Sequence, residues 1–223
     1  MYRPFLAEMG KDRLAIAVDT PGYGGSDAPP APTDLDAYAE TLTAVLDELA
    51  LDEIDLFGAH TGSRLAVEIA HLRPRQVQQL ILFGAAIYTE EERAKQKVTF
   101  AQPKPVEADG GHLAKRWTGW AAWRWPGVTD DMIGRYAADS VQDFERHWWA
   151  HQAVFEHDMA ARLAHLEQEV LVLCTKDDIE EPTRRAREVI RHGRYVERLD
   201  WGHWFLEVDP RGAAALAREF YDA

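Results

Sequence analysis

Short apolar runs alternate with segments of helical periodicity along this chain, and this alternation limits the folds open to it. Apolar runs at 14–18, 53–57 and 77–84 are typical of buried strands, and helices are predicted at 35–49 and 63–72 between them. Successive parallel strands need a long crossover connection, which is usually a helix. The pattern therefore predicts an α/β fold: a mostly parallel sheet with helices on both faces.

The alternation stops near Ala85 and later resumes. The elements predicted after the gap are two strands and two helices, at 169–174, 194–199, 181–191 and 210–221. Residues 86–166 show no strong strand pattern and hold six tryptophans, so we predict a helical cap insertion there. Residues 1–85 and 167–223 are then expected to form the α/β core.

Charge and cysteine content exclude several classes of partner. The chain has 25 Lys and Arg against 38 Asp and Glu, a formal charge of −13, which disfavours binding to nucleic acid or anionic membrane. Cys174 is the only cysteine, so no internal disulfide can form. No apolar run approaches the roughly 18 residues of a membrane span. We expect a cytoplasmic protein that acts on a small molecule, with its oligomeric state left open.

Residues 58–62 read Gly-Ala-His-Thr-Gly between a predicted strand and a predicted helix. The pattern Gly-x-nucleophile-x-Gly in that context is a nucleophile elbow, a sharp turn that presents its central residue. The central residue here is His60. A plain glycine-rich turn would give the same pattern, so the motif needs further support.

That support comes from the ends of two later strands. Asp177 and Asp178 follow the strand at 169–174, and a carboxylate at a strand end can orient an imidazole. His203 follows the strand at 194–199. Each residue taken alone is more simply explained as a loop residue. Together they give the order elbow, acid, histidine on successive strand ends, where active sites of open α/β sheets lie.

With these residues in place, the chain resembles the α/β-hydrolase superfamily over nearly its whole length. Residues 19–27 are similar to the D-x-P-G-x-G-x-S loop that follows the fourth strand of that fold, and 86–166 stand where its members insert a helical cap. The resemblance implies that Asp178 is the acid and His203 the catalytic histidine. It also implies that the backbone N–H of Thr61 faces the oxyanion.

One departure from the superfamily pattern is His60, which stands at the position of the nucleophile. An imidazole there can attack an acyl group or act as a base that activates water. The hydroxyls of Thr61 and Ser63 are nearby but do not occupy the apex of the elbow. We expect Asp178 to favour the protonated form of His203, which would leave His60 neutral.

A second departure is that three strands of the superfamily fold have no counterpart. Residues 1–11 are similar to the helix that precedes its fourth strand, so the expected fold lacks the first three strands and the loop with the other oxyanion donor. We expect either a truncated product or a different strand pairing, and favour truncation.

Aromatic and histidine residues of the insertion suggest two further roles. Trp120 and Trp123, with Trp204 beside His203, are weak candidates for the substrate pocket. His147 and His151 are four residues apart, but they lack the companion ligands of a metal motif, so we expect neither a metal site nor a cofactor.

The sequence supports two classes of function. The first is a hydrolase of a small, largely apolar ester or related carbonyl substrate, with catalytic residues His60, Asp178 and His203. The alternative is a non-catalytic or degenerate hydrolase-fold protein that binds a small ligand, because the usual nucleophile is replaced.

Overall fold

A parallel four-stranded sheet forms the centre of the protein in a computed structural model that describes residues 2–142 and 145–223. The strands lie in the order β1-β2-β3-β4, and each pair of neighbours is parallel. Their bounds are Ile54–Ala59 (β1), Val77–Phe83 (β2), Glu169–Lys176 (β3) and Gly193–Gly202 (β4). The predicted α/β architecture is confirmed.

The helices flank the sheet or connect its strands. In chain order they are α1 (Arg3–Met9), α2 (Leu35–Glu48), α3 (Thr61–Leu72), α4 (Glu90–Phe100), α5 (Gly111–Ala121), α6 (Asp130–Asp139), α7 (Trp149–Glu156), α8 (Met159–Ala164), α9 (Glu180–Arg184), α10 (Phe205–Val208) and α11 (Pro210–Tyr221). Asp34 caps α2, because its carboxylate accepts a hydrogen bond from the backbone N–H of Ala37 at 2.9 Å. None of the helices in the described ranges has the length and apolar character needed to span a membrane.

The two central strands bury side chains on both faces of the sheet. Successive side chains of a strand point to opposite faces. One set packs towards α3 and α8, and its members are Leu80, Leu82, Val170 and Val172. The other packs towards α1, α10 and α11, and its members are Ile81, Phe83, Leu171 and Leu173. Burial on both faces explains why these strands appear in the sequence as continuous apolar runs.

The prediction of a strand at 14–18 is wrong. This segment is not part of a strand, and the side chains of Leu14, Ile16 and Val18 are exposed, Leu14 by 78%. β1 is the edge of the sheet, and within the described residues no strand pairs with its outer side. An apolar run becomes a strand only when a neighbour satisfies its backbone groups, and 14–18 has none.

The helices predicted for 86–166 and for 181–191 can be compared with those of the structure. Within the described parts of 86–166 the regular elements are helices, α4 to α8, and no strand is present, while residues 143 and 144 lie outside the described ranges. The helix predicted at 181–191 is too long, because α9 ends at Arg184 and is followed by a 3₁₀ turn, Arg185–Glu188. That turn lets the chain reverse into β4.

Candidate active site

A sharp turn between β1 and α3 carries His60. Its backbone has φ 53° and ψ −112°, a positive φ that a residue with a side chain rarely adopts. A Cβ atom at Gly58 would lie 2.3 Å from the carbonyl oxygen of Gly62, so the turn closes only with glycine at 58. The predicted elbow geometry is present, and the strained residue at its apex is the histidine.

Three strand ends bring two imidazoles and two carboxylates together beside this turn. The rings of His60 and His203 lie edge to face with their centroids 4.9 Å apart. Asp177 Oδ2 is 3.3 Å from His60 Nε2, and Asp178 Oδ1 is 4.0 Å from His203 Nδ1. His60 follows β1, the two aspartates follow β3, and His203 follows β4, so the sheet itself determines how close they come.

Asp177 is the residue of this group to which the sequence pattern gave no separate role, because the resemblance assigned the acid to Asp178. Its Oδ1 accepts a bond from the backbone N–H of Ile179 at 3.0 Å, and Thr175 Oγ1 donates to its Oδ2 at 3.3 Å. These contacts hold the carboxylate against His60. The Asp-Asp pair in the sequence was a usable signal, but the choice between its members depended on how the turn after β3 folds.

The hydroxyl and amide groups near the apex have different surroundings. Ser63 is fully buried, and its Oγ donates towards the carbonyl oxygens of Gly58 at 2.9 Å and Phe83 at 2.7 Å. Its hydroxyl is therefore structural. Thr61 is the first residue of α3, where backbone N–H groups have no partner within the helix. Its proposed role as an oxyanion donor is compatible with that position.

The loop at 19–27 is built around one carboxylate. Asp19 Oδ2 accepts a bond from the backbone N–H of Gly25 at 2.9 Å, and Ser26 Oγ donates to the carbonyl oxygen of Asp19 at 2.8 Å. Gly24 has φ 56°, and a Cβ atom there would lie 2.3 Å from the Asp19 carboxyl group. The aspartate, glycines and serine of this sequence pattern thus have defined structural roles.

A family model matches almost the entire chain: the model of the alpha/beta hydrolase family covers residues 1–217. This chain belongs to that family. Its resemblance to the superfamily, inferred from the elbow, the loop at 19–27 and His203, is confirmed.

Named relatives of this hydrolase-family chain include hydrolases and an esterase. Poly(3-hydroxyalkanoate) depolymerase of Ectopseudomonas oleovorans is 30% identical over 46% of this chain and 36% of its own length. 2-Hydroxymuconate semialdehyde hydrolase of Pseudomonas sp. strain CF600 is 34% identical over 38% of this chain and 30% of its own length. These alignments span about a third of each curated relative. The solved esterase of Exiguobacterium antarcticum is 18% identical, with a TM-score of 0.76 over 98% of this chain and 87% of its own, which shows a shared fold.

The surroundings of the two histidines shift their pKa values in opposite directions. Burial works to lower the pKa of His60, but the carboxylates of Asp177 and Asp178 outweigh it and raise that pKa above the usual range. Burial and the neighbouring His60 lower the pKa of His203 to about 3. The expectation that His203 holds the proton is therefore wrong: Asp177 lies against His60, so His60 is the histidine that more readily takes up a proton.

The aromatic candidates lie close to His203. Ring centroids of Trp120 and Trp123 are 5.7 and 6.3 Å from that of His203. Trp204 is fully buried and packs edge to face on Tyr136, with centroids 4.7 Å apart. We call Trp120 and Trp123 the aromatic wall. Trp204 packs edge to face against Trp120, with ring centroids 5.7 Å apart.

The contact between Trp125 and Gly202 was not predicted from the sequence. A Cβ atom at Gly202 would lie 2.6 to 2.8 Å from the indole of Trp125, so that indole rests directly on the residue before His203. Gly202, the glycine at the end of β4, is the signal in the sequence that a bulky group approaches there.

His147 and His151 face different partners. Arg116 Nη2 lies 2.9 Å from His147 Nε2, whereas the ring of His151 stacks on Phe100 with centroids 5.8 Å apart. The four-residue spacing places His151 Nδ1 3.2 Å from the backbone carbonyl oxygen of His147, while the two rings contact different residues.

Proposed function

We propose that this chain is a hydrolase that acts on small, largely apolar esters or related carbonyl compounds. The observation that carries the proposal is the position of His60. Its imidazole occupies the apex of the elbow, 3.3 Å from the carboxylate of Asp177 and with its ring centroid 4.9 Å from that of His203. A base placed where the family fold presents its reactive group can act directly on a substrate or on water.

In the proposed reaction His60 is a general base. The neutral imidazole accepts a proton from water while the water oxygen bonds to the carbonyl carbon, and the carbonyl π electrons move to its oxygen. The resulting oxyanion receives a hydrogen bond from the backbone N–H of Thr61. Collapse of the intermediate breaks the bond to the alkoxide, which takes the proton from His60. The products are a carboxylic acid and an alcohol.

The two aspartates and His203 support this role of His60. Asp177 stabilises the imidazolium that forms on His60, because its carboxylate is adjacent to the ring. Asp178 approaches His203 and adds negative charge at the same site. His203 has a pKa of about 3 and stays neutral near pH 7, so we assign it a positioning role beside the substrate.

The aromatic wall supports an apolar substrate. Trp120 and Trp123 both belong to the segment 86–166, and their rings lie next to that of His203. We propose that this segment is a cap whose aromatic residues contact the substrate's apolar part. The names of the relatives, a depolymerase, a semialdehyde hydrolase and an esterase, support hydrolysis as the class of reaction.

A spectrophotometric assay with p-nitrophenyl acetate and p-nitrophenyl butyrate tests the proposal. We expect saturable turnover in the presence of a chelator, with a preference for butyrate. Trp120→Ala should reduce that preference by up to about tenfold, because each buried CH₂ contributes about 0.8 kcal/mol. Trp149→Ala is the matched control, since Trp149 has its ring contact with Trp148.

The same assay separates the two classes of function. Turnover no faster than buffer alone, by a protein with a cooperative melt, would contradict the hydrolase proposal. It would favour the alternative, a hydrolase-fold protein that binds a small ligand without transforming it.

A further inference from the structure

We infer that His60, Asp177, Asp178 and His203 form a binding site for a divalent transition-metal ion such as Zn²⁺. One ligand atom from each of these side chains lies within 4.8 Å of the other three. Metal–ligand bonds of about 2.0 to 2.2 Å in a tetrahedron place neighbouring ligand atoms about 3.3 to 3.6 Å apart. The 3.3 Å separation of His60 Nε2 and Asp177 Oδ2 already fits that spacing.

A second pair of ligand atoms needs only a small side-chain movement. His203 Nδ1 and Asp178 Oδ1 are 4.0 Å apart, a few tenths of an ångström beyond the tetrahedral spacing. Asp178 has a side-chain exposure of 35%, so its carboxylate has room to rotate towards the other ligands. Asp177 is held in place by the backbone N–H of Ile179, which is the kind of outer contact that orients a metal ligand.

A separate observation points to a ligand at this position. His203 Nδ1 is buried and makes no hydrogen bond within the described ranges, and buried His60 Nε2 has Asp177 Oδ2 at 3.3 Å without hydrogen-bond geometry. His203 has a side-chain exposure of 11% and Asp177 one of 2%. Burying a polar atom without a partner costs about 1 to 3 kcal/mol. A metal ion would satisfy both nitrogens at once.

The donor types select the class of ion. Imidazole nitrogen suits Zn²⁺, Co²⁺ and Ni²⁺, whereas Mg²⁺ and Ca²⁺ prefer oxygen ligands alone. Two carboxylates balance the charge of a divalent cation. The second imidazole comes from His60, so the residue that departs from the hydrolase motif is also the one that completes this donor set.

Competition titration with a chromophoric chelator tests the site on the 223-residue chain stripped of metal. We expect one Zn²⁺ per chain, with Mg²⁺ and Ca²⁺ unable to compete at the same concentrations. His60→Ala and His203→Ala should each weaken Zn²⁺ binding by more than about 100-fold, since loss of an outer contact alone costs about 10- to 100-fold. His165→Ala, at an exposed histidine elsewhere, should leave the Kd unchanged.

Asp177→Asn keeps the shape of a ligand and provides a second variant if an alanine variant fails to fold. It should weaken Zn²⁺ binding and change the visible absorption of the Co²⁺-loaded protein, which reports coordination directly. Binding of Zn²⁺ that is equally tight in Asp177→Asn and the wild type, or no stoichiometric binding by the wild type, would overturn the inference. This inference does not rest on the proposed hydrolysis, because titration uses no substrate and the ester assays contain a chelator.

Discussion

Replacing His60 with alanine is expected to lower kcat/KM for p-nitrophenyl butyrate by about 10²- to 10⁴-fold, the usual contribution of a positioned general base. The variant keeps the elbow but removes the group that accepts the proton of water. His203 is a poor substitute for it, because burial lowers the pKa of His203 and makes it a weak base. The measurement is steady-state hydrolysis at saturating and subsaturating ester, with chelator present.

A second substitution at the same position controls for folding. The backbone at residue 60 has φ 53°, which glycine adopts freely. His60→Gly should therefore unfold at a higher temperature than His60→Ala while being equally inactive. If both variants are folded and His60→Ala turns over ester as fast as the wild type, His60 has no part in the reaction.

The largest loss of stability is expected from Glu68→Gln, at about 3 to 5 kcal/mol in the free energy of unfolding. The side chain of Glu68 is 1% exposed, and Arg162 Nε donates to its Oε1 at 2.7 Å. His157 Nε2 lies 2.6 Å from the same oxygen. Burial alone would raise the pKa of Glu68, but His157 and Arg162 outweigh it and lower that pKa to about 2.

The position of Glu68 explains why its substitution should lower the free energy of unfolding of the whole chain. Glu68 lies in α3, the helix that begins at the elbow, and its two partners lie at the end of the segment between β2 and β3. Removing the charge leaves His157 buried with a weakened partner, and it weakens the polar contact between that segment and α3.

Urea-induced unfolding measures this effect, with Asp47→Asn as the control. Asp47 pairs with Arg73 Nη2 at 2.7 Å, but its side chain is 61% exposed, so the control should lose less than about 1 kcal/mol. A Glu68→Gln protein that unfolds within about 1 kcal/mol of the wild type would show that the buried charges contribute little to stability.

Most of the sheet could be predicted from the sequence because β2 and β3 are buried on both faces. Their apolar side chains therefore form uninterrupted runs, and the predicted bounds agree with the structure to within two residues. The run at 14–18 has the same composition but forms no strand. Strand formation there depends on a neighbour, which local composition does not encode.

The proximity of the candidate site residues could be predicted from the sequence, but their pKa values could not. His60, Asp178 and His203 were identified from their order on strand ends, and the structure places them together. The proximity of Asp177 to His60 arises from the turn after β3. The low pKa of His203 arises from burial and from the neighbouring imidazole, and both are properties of the folded arrangement.

The pH dependence of kcat/KM for p-nitrophenyl butyrate tests most directly whether His60 is the base. Its neutral form accepts the proton, so activity should rise with pH through the raised pKa of His60, with an inflection above about 6.5. Asp177→Asn removes the adjacent negative charge and should move that inflection to lower pH. Asp130→Asn, at an exposed carboxylate paired with Arg124, is the control and should leave it unchanged.

All profiles are recorded with a chelator, so that no metal ion competes with the proton for His60. We expect an acid limb in the wild type, and a measurable shift of that limb in Asp177→Asn but not in Asp130→Asn. A wild-type profile without an inflection above about 6.5, or the same inflection in the wild type and Asp177→Asn, would contradict this expectation.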